Sequence, residues 1–209
     1  MAPEQLTKPT LAAAARHLAK RDKSLATILE TYGPPPLWAR EPGFATLVQI
    51  ILEQQVSLAS AASMYKRLSE NIQPFRPDRV IELGEPHLKS LGLTRQKTAY
   101  CIYLAESIRS NSLNLSGLSK MNDEDAKAAL MQVKGIGSWS ADINLLMVLR
   151  RPDIWPAGDL ALVTAVTKLK RLKQRPAADH LFRIAEGWRP FRAVAARMLW
   201  QYYLARRET

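Results

Sequence analysis

An all-α fold is what this 209-residue sequence predicts. Apolar residues recur at helical spacing along almost the whole chain, and strand-like alternation bounded by turn residues is hard to find. A third observation sharpens the first two: Val133-Lys134-Gly135-Ile136-Gly137-Ser138 sets a glycine turn between two helical stretches.

From Leu11 to Tyr32 the pattern predicts one or two helices, ended by Gly33-Pro34-Pro35-Pro36, where the prolines forbid continuation and force an extended crossing. Phe44, Leu47, Val48, Ile51 and Leu52 form a stripe that buries one face of the next helix. Further helices are predicted from Ala59 to Ser69, from Pro77 to Leu83 and, after the break at Leu91-Gly92-Leu93-Thr94, from Gln96 to Arg109. Asn122 or Asp123 caps a helix that ends near Val133, and Ser138 is expected to cap one running to about Arg150. A proline-bearing loop, Arg150 to Pro156, leads to a helix over Leu160 to Leu172 and two more between Ala177 and Arg206. Internal repeats and low-complexity segments are lacking.

Hydrophobic residues make up 47% and charged residues 23%, the balance of a folded domain rather than a disordered chain. Thirty Lys and Arg against nineteen Asp and Glu give a net charge of +11, which favours a polyanionic partner, nucleic acid first. The lone Cys101 excludes an internal disulfide, and the scattered His17, His87 and His180 form no zinc-spaced cluster. No stretch approaches the ~20 continuous apolar residues of a membrane span, and the amino terminus lacks the apolar core of a signal peptide, so a cytoplasmic location without membrane contact is expected.

In the turn, Gly135 and Gly137 permit unusual torsions and hold no side chain before a ligand, while Ile136 can turn inward to pin the flanking helices. The amides of Gly135, Gly137 and Trp139 then gather at the positive end of the second helix, where a phosphate oxygen is favoured by dipole and hydrogen bonds together. Such a contact fixes position without reading sequence. Twenty residues after Trp139 stands Asp159, in Trp155-Pro156-Ala157-Gly158-Asp159. Read alone, an aspartate before an apolar helix is an N-cap. Beside a nucleic-acid grip it is also an anion able to stabilise positive charge on a sugar, and the two roles are compatible.

Together with this turn and Asp159, three segments resemble the helix-hairpin-helix glycosylase superfamily of DNA repair enzymes, in the branch of 3-methyladenine DNA glycosylase II: Phe44 to Ser57, Leu88 to Leu93 leading into the helix from Gln96, and Trp188-Arg189-Pro190-Phe191-Arg192 with Leu199-Trp200. The resemblance runs from about Leu37 to Leu204. It implies one two-lobed all-α domain over residues 1–209, with a lobe at about 40–115, the hairpin at 123–150, the remaining helices forming the second lobe, and an active-site cleft between lobes. Larger members carry an added amino-terminal β domain, so this chain looks like the compact form.

The same resemblance implies excision of alkylated purines of the 3-methyladenine and 7-methylguanine class from double-stranded DNA, with Asp159 catalytic. Trp139 stands where strand-cutting members place a lysine nucleophile, which implies base release by water without lyase chemistry. It assigns Trp139, Trp200, Trp38 and Ile143 to the base pocket, where aromatic faces suit electron-poor purines. It puts Gln55, with Gln54, where relatives insert a wedge into the base stack. Phosphate contacts are expected from Gly135, Gly137, Lys134, Ser138, Arg95 and Lys97. A monovalent cation, K+ or Na+, is implied on the backbone carbonyls of Met131, Val133 and Ile136; an iron–sulfur cluster is not. A monomer is implied, nucleoid-associated in a bacterium. Two rival readings stay open at this point: the same chemistry on uracil, hypoxanthine or a mismatched thymine, and a DNA-binding module without catalysis.

Overall fold

The computed structural model describes residues 4–206, and these form helices and connections with no strand among them. The helices are α1 (Lys8–Arg21), α2 (Lys23–Tyr32), α3 (Phe44–Glu53), α4 (Leu58–Asn71), α5 (Pro77–Ser90), α6 (Arg95–Arg109), α7 (Leu115–Leu118), α8 (Asp123–Met131), α9 (Ser138–Met147), α10 (Leu160–Leu169), α11 (Ala178–Glu186) and α12 (Arg192–Ala205). The chain divides into two compact units, one spanning 40–144 and the other combining 4–39 with 145–206.

In the unit spanning 40–144, α3 is the core helix and packs against α4 and α6. The expected stripe is only part of its buried surface: Thr46 and Ile50 are buried beside Phe44, Leu47, Val48, Ile51 and Leu52, so the helix is covered almost all round. The helix predicted to stop at Leu83 resumes after Gly84, whose φ of 66° breaks the run, with Pro86 opening the second segment. Cys101, on α6, is 2% exposed, and burial pushes its thiol up to about 12. The short α7 escapes sequence reading because four residues are too few to set a period.

The other unit is organised around α12, which packs against α1, α2 and α10. Ala193 to Trp200 are buried without interruption. Among them stands Arg197, fully enclosed, donating to the carbonyls of Leu37 (2.9 Å), Ala193 (3.0 Å) and Leu146 (2.6 Å). Burial pulls its pKa down to about 9, so the guanidinium remains charged at neutral pH and draws on carbonyl dipoles.

The 11–32 stretch resolves into two helices because Asp22 interrupts it. Its Oδ1 accepts from the Ser24 amide at 2.8 Å, capping α2, while Oδ2 accepts from Lys170 Nζ at 2.7 Å and Trp188 Nε1 at 2.9 Å. Burial alone would raise this carboxyl, but the bonds from Lys170, Trp188 and the Ser24 amide win and hold its pKa below the ordinary value. The stabilisation this provides is therefore present above the unfolded pKa, about 4, and is lost as pH falls through the lower folded value. Asp22→Ala is expected to cost roughly 2 kcal/mol in urea unfolding at pH 7, and the gap between parent and variant should narrow as the same titration is repeated toward pH 3.

Candidate active site

The hairpin lies between α8 and α9. Asn122 caps α8, its Oδ1 accepting from the Asp125 amide at 2.8 Å, and α8 ends at Met131, two residues before the expected Val133. Val133 and Ile136, each 4% exposed, plug the turn into the core, and the Ile136 amide donates to the Val133 carbonyl at 2.9 Å. That carbonyl keeps a second lone pair, the kind of donor a monovalent cation would take from Met131, Val133 and Ile136. No group of three His, Cys, Asp or Glu able to hold a metal occurs among the described residues.

The two glycines have different tasks. Gly135 adopts φ 101°, and a Cβ added there would sit 2.2 Å from Tyr100 Cγ, so both torsion and space require glycine. Gly137 has no unusual torsion and nothing within 4 Å of an added Cβ, so the torsional freedom expected of both is used at Gly135 only. Ser138 is not the cap that the sequence suggests: α9 already begins at this residue, the Gly137 carbonyl accepts from the Ala141 amide at 3.0 Å, and Ser138 Oγ turns to Asp142 Oδ2 at 3.4 Å. A glycine thus stands at the head of α9, with nothing within 4 Å of where its own Cβ would lie.

Four other expected site residues point elsewhere. Lys97 is 8% exposed and donates to the Leu52 carbonyl at 2.6 Å, so it offers no charge to DNA; the packing of α6 on α3 turns it inward, against the negative end of α3. Its burial lowers its pKa. Gln54 also turns inward, its amide donating to the Gly135 carbonyl and to Ser140 Oγ, both at 2.8 Å. Ile143 is 2% exposed and belongs to the core rather than to an open pocket. Lys134 is exposed but leans over the Tyr103 ring, 4.6 Å from its centroid and 3.3 Å from its hydroxyl. Arg95 is exposed at the start of α6, Gln55 is exposed with φ 57°, and Trp139 is half-exposed on the first turn of α9.

In the other unit, the loop that ends in Asp159 is braced at several points. Asp153 accepts from Arg192 Nε at 2.9 Å and Arg189 at 2.7 Å, and the Pro152 carbonyl accepts from the Ala193 amide at 3.0 Å. Ile154, Trp155 and Pro156 are buried, Trp155 against Trp188 at 5.4 Å between ring centroids. Gly158, at φ 82°, then turns the chain so that Asp159 caps α10: Oδ1 accepts from the Leu162 amide at 3.0 Å and from Trp200 Nε1 at 3.2 Å. Cap and candidate catalytic anion are one side chain, half-buried and aimed by two donors. Trp200 meets Trp38 edge to face, centroids 6.3 Å apart. Trp38 sits at φ 46°, a left-handed torsion that costs a bulky residue energy, and the Arg197 bond to the preceding carbonyl helps hold it there.

The structure therefore joins Asp159, Trp200 and Trp38 in one cluster, and ties Gln54 to the turn at Gly135 and to Ser140. Sequence reading passed over Arg197, although a charge inside Ala193-Val194-Ala195-Ala196-Arg197-Met198-Leu199-Trp200 was a visible signal, and over Tyr100 and Tyr103, which brace the turn. A cavity of about 450 Å3 lined by Arg21, Asp22, Lys170 and Trp188 among others contains none of the expected site residues.

A glycine turn between two helices, followed by an aspartate-capped helix, is the arrangement of a helix-hairpin-helix protein. The chain belongs to the HhH-GPD superfamily of base excision DNA repair proteins, whose sequence model matches residues 48–190. It is 26% identical over 192 residues to DNA-3-methyladenine glycosylase 1 of Schizosaccharomyces pombe, covering 88% of this chain and 84% of that protein. It is 29% identical to a DNA-3-methyladenine glycosylase of Bacillus subtilis over 76% of this chain. The chain spans 65% and 56% of the lengths of two Bacillus subtilis relatives that it matches. A solved S. pombe 3-methyladenine DNA glycosylase in complex with abasic DNA superposes with a TM-score of 0.80 at 25% identity, covering 90% of this chain and 95% of that one.

Gly135→Ala is expected to destabilise the fold by about 2 kcal/mol or more, since Tyr100 and the torsion both oppose a methyl group. Gly137→Ala should stay within about 0.5 kcal/mol of the parent in the same thermal or urea unfolding measurement.

Proposed function

We propose that the protein is a monofunctional DNA glycosylase, a monomer acting in the cytoplasm, that hydrolyses the N-glycosidic bond of alkylated purines in duplex DNA and leaves an abasic site. The observation that carries this reading is Asp159, a carboxylate fixed by the Leu162 amide and the Trp200 indole rather than free to swing. The relatives named as 3-methyladenine glycosylases, and the one solved with abasic DNA, support the substrate class and the partner.

The chemistry needs little beyond a placed anion. A 3- or 7-alkylated purine is already cationic, so when the glycosidic bond breaks the electron pair returns to the ring and the base leaves neutral, without a proton donor. Positive charge then spreads over the sugar, and a carboxylate positioned beforehand lowers that barrier without reorganising. Water attacks the anomeric carbon and loses its proton, completing hydrolysis. Trp139, at the start of α9, cannot form an imine, so no strand cleavage accompanies release. The amino-terminal end of α9 suits a phosphate, and the net charge of +11 speeds encounter with DNA. Trp38, half-exposed and packed edge to face on the buried Trp200 that donates to the carboxylate, offers the extruded base an aromatic face.

Asp159→Asn keeps a good helix cap, so the variant should fold, yet base release should fall by about 100-fold or more. The assay is release of free base from a panel of duplexes carrying 3-methyladenine, 7-methylguanine, uracil, hypoxanthine or a mismatched thymine. Release by the parent from the alkylated purines is expected. Release only from the others would change the substrate class, and DNA binding with no release from any would reduce the protein to a binding module.

A further inference from the structure

Between α3 and α4 the chain makes a tight, exposed tip: Gln55 at φ 57°, Val56 39% exposed, Ser57, and Leu58 61% exposed. Both flanks are fixed. Ser57 Oγ accepts from the Ser60 amide at 3.2 Å and caps α4, while Lys97 ties the last turn of α3 to α6 through Leu52. A left-handed glutamine followed by two exposed apolar side chains is costly surface to display, and a ligand able to cover it would recover that cost.

Gln54, the residue before this tip, reaches the hairpin 81 positions later in sequence. Its side-chain nitrogen has two hydrogens, and both are used, one on the Gly135 carbonyl and one on Ser140 Oγ. Because one partner is a carbonyl, which only accepts, the orientation of the amide is settled by chemistry. The two acceptors bracket the head of α9: Gly135 lies just before Gly137, and Ser140 lies just after Trp139. One side chain therefore ties the exposed tip to both sides of the amides that would hold a phosphate. Tyr100, packed on Gly135, seats the turn from a third direction.

We infer that Gln54 is a positioning residue that holds the apolar tip Gln55 to Leu58 in fixed register with the backbone amides of residues 137–139, so that gripping a DNA backbone and filling a gap in its base stack occur as one event. The inference rests on the DNA-repair reading above and goes beyond it by coupling two contacts through a residue that itself touches no DNA. Register matters because a misplacement of about 1 Å in a positioned contact can cost of order 100-fold. Loss of Gln54 should leave each contact in being but decouple them. The signature is therefore a loss of preference for gapped DNA, with general affinity kept.

The test uses the full chain with Gln54→Met, which removes both donors at similar volume, and Gln54→Glu, which is isosteric but sets an acceptor against the Gly135 carbonyl. Equilibrium binding is measured to an intact duplex and to one carrying a tetrahydrofuran abasic analogue, with amide hydrogen exchange followed at 135–139. The expected result is faster exchange there, an abasic preference reduced about tenfold in both variants, and little change in Gln54→Met affinity for intact duplex. Ser140→Ala, which removes one of the two acceptors, should give a smaller loss of preference. An unchanged preference in Gln54→Met, or an equal fall in affinity for both duplexes, would overturn the inference. A parent that prefers abasic DNA but frees no base from any lesion would sink the catalytic reading while leaving the role of Gln54 open to this same binding comparison.

Discussion

Every α-helix starts with amides that have no partner inside the helix, and the protein answers this constraint in opposite ways at its two functional positions. At α10 the donors are met by Asp159, whose cap geometry also fixes the carboxylate. At α9 the residue before the helix is Gly137, which has no side chain to cap with. One start holds an anion of the protein's own, and the other begins at a residue with no side chain to offer. The remaining architecture around each supports that pair: a braced loop for Asp159, and a turn pinned by Val133, Ile136 and Tyr100 for the head of α9.

The second unit shows how much structure a single oriented carboxylate demands. The loop from Arg150 to Asp159 carries few hydrogen bonds of its own and borrows rigidity from α12, through Asp153 on Arg192 and Pro152 on the Ala193 amide. The same helix contributes Trp200 to Asp159 and Arg197 to the segment bearing Trp38. Burying a guanidinium without a carboxylate beside it is expensive, and here three carbonyls offset that cost while joining the 37–38 segment, the end of α9 and α12.

Much of this was legible in the sequence where a local rule decides it. Prolines at 34–36 ended α2, Asn122 marked the start of α8, and the glycine turn and Asp159 cap follow from backbone rules that neighbouring residues carry. What stayed hidden depends on which face of a helix meets another. Lys97 and Arg95 are two residues apart at the start of α6, yet one is buried under α3 and the other exposed, a difference set by packing and not by residue type. Gln54 and Gln55 are chemically identical, but a left-handed torsion sends the second outward while the first reaches residues far along the chain. Ile143 lies one turn beyond Trp139 on α9, where the helix has already entered the core.

The solitary thiol of Cys101 has a bearing on survival in the chemistry this family confronts. Electrophiles that methylate purines also attack sulfur, and they react with thiolate rather than thiol. With burial raising its pKa to about 12 and 2% of its surface accessible, Cys101 stays a protonated thiol at neutral pH and is shielded from collision. The strongest nucleophile in the chain is kept out of reach of alkylating reagents.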